Sequence, residues 1–139
     1  MAKKILIMGL SGSGKTSLAK LLAPMFNAVL INEDEVRKEA NDFDLSEVGR
    51  SIHTNRMKRL ADEAIQNNRN VVANFECSTE DERKDFDADY IIYMDTIKES
   101  KLEPPSNFDF KVTHKDAQMF SFLIKQEILD KLKGLGPHD

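Results

Sequence analysis

Gly9-Leu-Ser-Gly-Ser-Gly14-Lys15-Thr16 carries the most definite chemistry in this 139-residue chain. It follows the apolar run Ile5–Met8 and matches G-x-x-x-x-G-K-[ST]. Glycines at 9, 12 and 14 let the backbone curl until successive N–H groups point inward at a phosphate, and a helix beginning there adds partial positive charge. Lys15 is spaced to reach β- and γ-phosphates, and the Thr16 hydroxyl to bind Mg²⁺. Gly9, Ser11, Gly12, Ser13, Gly14, Lys15, Thr16 and Ser17 are therefore candidate ATP-binding residues. A chance glycine-rich turn would match the pattern too, but not with a strand before it and a helix after it.

In a parallel α/β sheet, ligands gather beyond the carboxyl ends of the strands, so polar groups just after apolar runs come next. Asn32–Arg37, "NEDEVR", follows the second run. Asp34 could orient Mg²⁺ or accept a hydroxyl proton, and Arg37, about a helical turn on, would reach the same cleft. The plainer reading is that Glu33, Asp34 and Glu35 merely enrich a first helical turn in acid. Arg50, His53, Asn55, Arg56 and Arg59 share one helical segment, and Arg50 and Asn55 near its start could meet a phosphate or form part of a solvated face. Ser78 or Thr79 reads as a helix cap. Cys77, the single cysteine, rules out an internal disulfide and reads as a semi-buried thiol.

These residues need a scaffold. Apolar runs at 5–8, 28–31, 70–75 and 90–94, with an alternating one at 108–112, predict five strands. Helical spacing at 15–26 (Leu18, Leu21, Leu22, Met25) and 49–67 (Met57, Leu60, Ala61, Ala64, Ile65) predicts helices between them. A last helix should start at Thr113, with Asp116 three residues on in place of the Glu or Gln of a full capping box, carry an apolar stripe of Phe120, Leu123, Ile124, Ile128 and Leu132, and stop at the Gly134–Pro137 stretch, leaving 134–139 as a loose tail. The alternation predicts a mostly parallel sheet covered by helices, in a single domain over 1–139.

A net charge of −4 gives no global field for nucleic acid or anionic lipid, so any anion site must be local. The apolar start is cut off by Ser11–Lys15 before it resembles a secretory signal, and no run is long enough to span a bilayer. The expectation is a cytoplasmic protein with a small-molecule partner and neither nucleic acid nor membrane. A guanine-reading N-K-x-D stretch is missing, which favours a small kinase over a GTPase.

Taken in order, these motifs resemble the adenylylsulfate kinases, which transfer the γ-phosphoryl of ATP to the 3′-hydroxyl of adenosine 5′-phosphosulfate. "GLSGSGKTSLA" is close to the family's G-L-S-G-S-G-K-S-T-L-A. "INEDEVR" is similar to L-D-G-D-N-V-R, with Asp34 and Arg37 matching and Asn32, Glu33 and Glu35 departing. "GRSIHTNRMKRLADEA" resembles the segment that supplies an arginine and an asparagine to the phosphosulfate, which implies Arg50 and Asn55. "NFECSTEDER" follows F-I-S-P-Y-R-x-D-R at Phe75 and Arg83, while Glu76, Cys77 and Ser78 replace I-S-P. "YIIYMDT" and "LEPPSNFDFKV" look like the family's V-D-T strand end and Y-E-x-P segment.

The resemblance implies a three-layer P-loop NTPase-type sandwich with five parallel strands in the order 2-3-1-4-5. It implies an ATP- and Mg²⁺-dependent phosphotransferase in which Lys15 and Asp34 are catalytic and Thr16 holds the metal. Asp34, Arg37, Arg50, Asn55 and Phe75 would bind adenylylsulfate or a similar anionic acceptor, and a homodimer is possible. The largest departure is the crossover from Thr96 to Asn107, where twelve residues replace the family's lid with its K-G-L-Y-K-K-A-R and F-T-G stretches. Lys98 and Lys101 are the basic residues left there, partial substitutes for the lid cations. Two other readings stay open: a kinase for another small hydroxyl or nucleotide acceptor, and a nucleotide-binding module that has lost transfer activity with its lid.

Overall fold

The computed structural model describes residues 2–97 and 103–132. Lys98, Lys101 and the expected tail at 134–139 lie outside the described residues. Five strands, β1 (Lys4–Met8), β2 (Val29–Asn32), β3 (Val71–Phe75), β4 (Tyr90–Met94) and β5 (Phe110–Val112), form one sheet. It runs β2-β3-β1-β4-β5 with every pair parallel, the order expected from the sequence. Around it lie α1 (Lys15–Met25), α2 (Glu33–Ala40), α3 (Glu47–Gln66), α4 (Glu80–Phe86) and α5 (Ala117–Leu132).

Side-chain alternation along the strands sorts the core into two layers. Ile5, Ile7, Val72 and Ile92 pack with Leu18, Leu22, Phe120, Ile124 and Ile128 of α1 and α5. On the other face Leu6, Met8, Val71, Ala73 and Phe75 pack with Met57, Ala61 and Phe86 of α3 and α4. Lys4 points to that second layer as well, where its ammonium donates to Phe86 O at 2.6 Å and Asp62 Oδ1 at 2.7 Å. A charged residue thus begins β1 because its head is fully paired.

Several boundaries differ from expectation for local reasons. Asp109 lies just before β5: its N–H donates to Ile91 O at 2.8 Å, but Ile91 N in return donates to the Asp109 carboxylate rather than to a main-chain carbonyl. Asp116, not Thr113, opens α5: its Oδ1 accepts from Met119 N at 3.1 Å. Leu123 and Leu132 stay about half exposed, and Leu60 is 39% exposed at the edge of the stripe that buries Met57 and Ala61. Thr79 caps α4 by accepting from Glu82 N. The Asn32↔Asn74 and Met8↔Phe75 pairings bring the carboxyl ends of β2, β3 and β1 level at one sheet edge. Three loops converge there.

Candidate active site

The glycine loop leaves β1 at Gly9 and becomes α1 at Lys15. Gly12 and Gly14 lie at φ +80° and +99°, in the left-handed region that side-chain-bearing residues rarely occupy. Gly9 is required for a different reason: a Cβ there would meet Met94 Cβ and Ser13 Oγ, each at 2.8 Å. Ser13 Oγ is buried with no hydrogen-bond partner, Ser11 and Ser17 are exposed, and Thr96 Oγ1 donates to Ser13 O at 2.8 Å, tying the crossover to the loop. Gly14 has no side chain to cap the first turn of α1, so that turn's N–H groups are available to an anion.

Lys15 is 5% exposed and folds back across the loop. Its ammonium donates to Gly9 O at 2.8 Å and Leu10 O at 2.9 Å, and lies 3.3 Å from Glu33 Oε1. Glu33 also accepts from Glu76 N at 3.2 Å. Burial pushes the Glu33 carboxyl above its ordinary pKa, with Lys15 as the main opposing influence. By sequence alone Glu33 is a departure from the motif or a first-turn acid. Asn32 takes over the capping instead, accepting from Asp34 N and Glu35 N through Oδ1, and so frees Glu33 to face the loop lysine.

That cap fixes a chain of amide orientations. With Oδ1 on the helix, Asn32 Nδ2 donates to Thr16 Oγ1 at 3.1 Å and to Asn74 Oδ1 at 3.4 Å. Asn74 must then present its own Nδ2 to Thr16 Oγ1, at 3.3 Å. Two donors fill the two lone pairs of the hydroxyl that would ligate Mg²⁺. Thr16 fits a metal once one of these amide hydrogen bonds yields, and Asp34 is exposed in the first turn of α2. Among the described residues there is no group of three or more His, Cys, Asp and Glu that could hold a metal. A P-loop site does not need one, because phosphates and water supply most ligands.

A cleft of about 340 Å³ opens beside the loop, lined by Ser11, Glu33, Asp34, Arg37, Arg50 and Phe75 among others. Arg37 is 8% exposed and donates to the carbonyls of Asp42 and Asp44, holding the loop that leads into α3. Arg50 is half-buried, and its Nε has no hydrogen-bond partner. Phe75, 1% exposed, forms the floor. The structure thus brings together Asp34, Arg37, Arg50 and Phe75 but not Asn55, which is exposed and does not line the cleft. On a helix, positions three and four beyond Arg50 share its face whereas the fifth does not, so His53 and Thr54 turn inward in place of Asn55. His53 is 4% exposed, meets Phe75 edge-on at 6.3 Å, and has neither ring nitrogen hydrogen-bonded.

A second cavity of about 220 Å³ adjoins the other side of the glycine loop, between Gly14, Ser17, Val112 and the turn at His114–Ala117. Arg83, which matched a motif position, serves the scaffold: it donates to Cys77 O, Glu80 Oε1 and Glu103 O, pinning the crossover to α4. Cys77 is 1% exposed, and burial pushes its thiol far above the ordinary range. The semi-buried thiol expected from the sequence is fully enclosed.

The parallel 2-3-1-4-5 sheet with a glycine loop between β1 and α1 defines a three-layer P-loop NTPase fold. Residues 5–90, more than half of the chain, match the AAA domain family model, and the chain belongs to that family. The shikimate kinase of Thermodesulfovibrio yellowstonii is 31% identical over 64 residues, a match that covers 46% of this chain and only 37% of the length of that curated relative. The Mycobacterium tuberculosis APS kinase in complex with AMPPNP and APS superposes with a TM-score of 0.72 at 18% identity, covering 92% of this chain and 98% of that one. A sugar kinase from a Janibacter species superposes with a TM-score of 0.74 at 13% identity, covering 99% and 100%. At these identities the likeness is one of fold. No helix among the described residues is long and apolar enough to cross a membrane.

Proposed function

We propose that this chain is an ATP-dependent small-molecule phosphotransferase that moves the γ-phosphoryl of ATP onto a hydroxyl of an acceptor bound in the 340 Å³ cleft. One observation carries the reading: the ammonium of the phosphate-loop lysine, Lys15, lies 3.3 Å from Glu33, a wall of that cleft. Phosphate and acceptor would thus meet across a single cation. Gly9 and Ser11 to Ser17 hold the phosphates, and the cavity beside Gly14 and Ser17 takes the nucleoside end. Lys15 leaves Glu33 to stabilise charge on the transferring group. Mg²⁺, when bound, would neutralise charge on the β- and γ-phosphates, with Thr16 as its protein ligand. Asp34 orients the acceptor hydroxyl and receives its proton, and Arg50, supported by Arg37, holds an anionic group of the acceptor.

Adenylylsulfate is the acceptor that the motif resemblance implies, whereas solved structures of a sugar kinase and a shikimate kinase share the fold too. The chain's own departures at Asn32, Glu33 and Glu76–Ser78 support an acceptor outside the adenylylsulfate class. Calorimetric titration with an unreactive ATP analogue, followed by coupled ADP release over a panel of hydroxyl acceptors, tests the reading. Analogue binding abolished by Lys15→Met, together with turnover on at least one acceptor, is the expected result. Tight nucleotide binding without turnover on any acceptor would leave a nucleotide-binding module.

A further inference from the structure

We infer that the acceptor is a hydroxyl-rich compound carrying no more than one negative charge, and that His53 reads one of its hydroxyls. This rests on the phosphotransferase reading and concerns the chemistry of the same cleft. Four carboxylates line it, those of Glu33, Asp34, Glu76 and Glu82, against the two guanidiniums of Arg37 and Arg50. Lys15 offsets Glu33, and Arg37 already donates to two loop carbonyls. Arg50 is left to meet an anion among Asp34, Glu76 and Glu82. A multiply charged acceptor would enter a cleft whose residual charge repels it. Hydroxyls instead donate to ionised carboxylates in short, charge-assisted hydrogen bonds.

His53 gives an independent reason. A buried polar group without a partner is costly unless something supplies one, and both of its nitrogens are buried and unpartnered at the cleft wall. Burial, with Arg37 and Arg56 behind it, keeps the ring neutral. A neutral imidazole offers one donor and one acceptor, the complement of a hydroxyl group, which is itself both. The Glu82 carboxylate is engaged by the Thr54 and Thr79 hydroxyls, so the side of the cleft next to His53 is already arranged for neutral hydroxyl chemistry.

The test is direct binding in the presence of an unreactive ATP analogue, so that it does not require turnover. Gluconate and shikimate serve as singly charged polyols, glucose as a neutral one, and adenylylsulfate as a multiply charged acceptor. At least one polyol should bind at least about tenfold more tightly than adenylylsulfate, and His53→Phe, which keeps ring packing, should weaken that polyol about tenfold. His53→Gln, which keeps a donor and an acceptor, should restore most of the loss, while the affinity for the ATP analogue stays unchanged in both variants. Tighter binding of adenylylsulfate, no binding of any polyol, or an unchanged polyol affinity in His53→Phe would overturn the inference. Loss of turnover with these binding preferences intact would instead overturn the phosphotransferase reading alone.

Discussion

Protonation of His53 offers a quantitative probe of the cleft before any acceptor is known. The ring is 4% exposed, and its pKa falls from 6.5 to about 4. Burial is the largest cause, followed by Arg37 of α2 and Arg56 of α3, against opposing pulls from Asp42 and Asp34. Between those two pKa values the unfolded chain binds a proton that the folded chain refuses, so this contribution to stability is present at neutral pH and is lost as pH falls through the window. Linkage with 6.5 and about 4 gives a loss of about 2 kcal/mol between pH 7 and pH 5, rising to about 3 kcal/mol below the folded value. Urea unfolding of the wild-type chain and of His53→Gln at pH 7, 6 and 5 measures it, because other titrating groups cancel in the comparison. The wild type should lose about 2 kcal/mol more than the variant over that interval. Parallel losses would refute the placement of a buried, neutral His53.

Two further outcomes follow from particular side chains. Asn32→Asp keeps a good helix cap but replaces a donor to Thr16 Oγ1 with an acceptor, so the hydroxyl regains a lone pair for metal. The Mg²⁺ concentration for half-maximal ATP turnover should fall on the order of tenfold, and a magnesium titration at fixed ATP reads the change; an equal or higher requirement argues against Thr16 as ligand. Cys77, enclosed and with its thiol pushed far up by burial first and Glu82 second, should react with a disulfide reagent at least about a hundredfold more slowly in the native state than in urea.

What was legible in the sequence is what local chemistry dictates. The glycine loop, the five strands and the helix between β1 and β2 depend on residues adjacent in the chain, and Asp34 and Arg37 are fixed by the short step from the end of β2. Glu33 was not legible because its role depends on Asn32 taking the cap and on Lys15 folding back from another element. Asn74 looked like one more strand residue until the register set it beside Asn32 under Thr16. His53 could have been found from helical geometry, since it and Thr54 lie three and four residues beyond Arg50; motif alignment pointed to Asn55 instead. Arg83 shows the converse, a motif match whose two terminal nitrogens are spent on the fold.

On the function proposed above, Lys15 and the adjoining cleft together carry a phosphoryl group from ATP to a hydroxyl acceptor. Incubation with ATP labelled at the γ-phosphate, with singly charged polyols and adenylylsulfate supplied separately, measures this by chromatography of the products. A labelled acceptor is expected, formed fastest from a polyol and reduced roughly a thousandfold in Lys15→Met. Label recovered solely as ATP or inorganic phosphate with every acceptor, or transfer that persists in Lys15→Met, would contradict it.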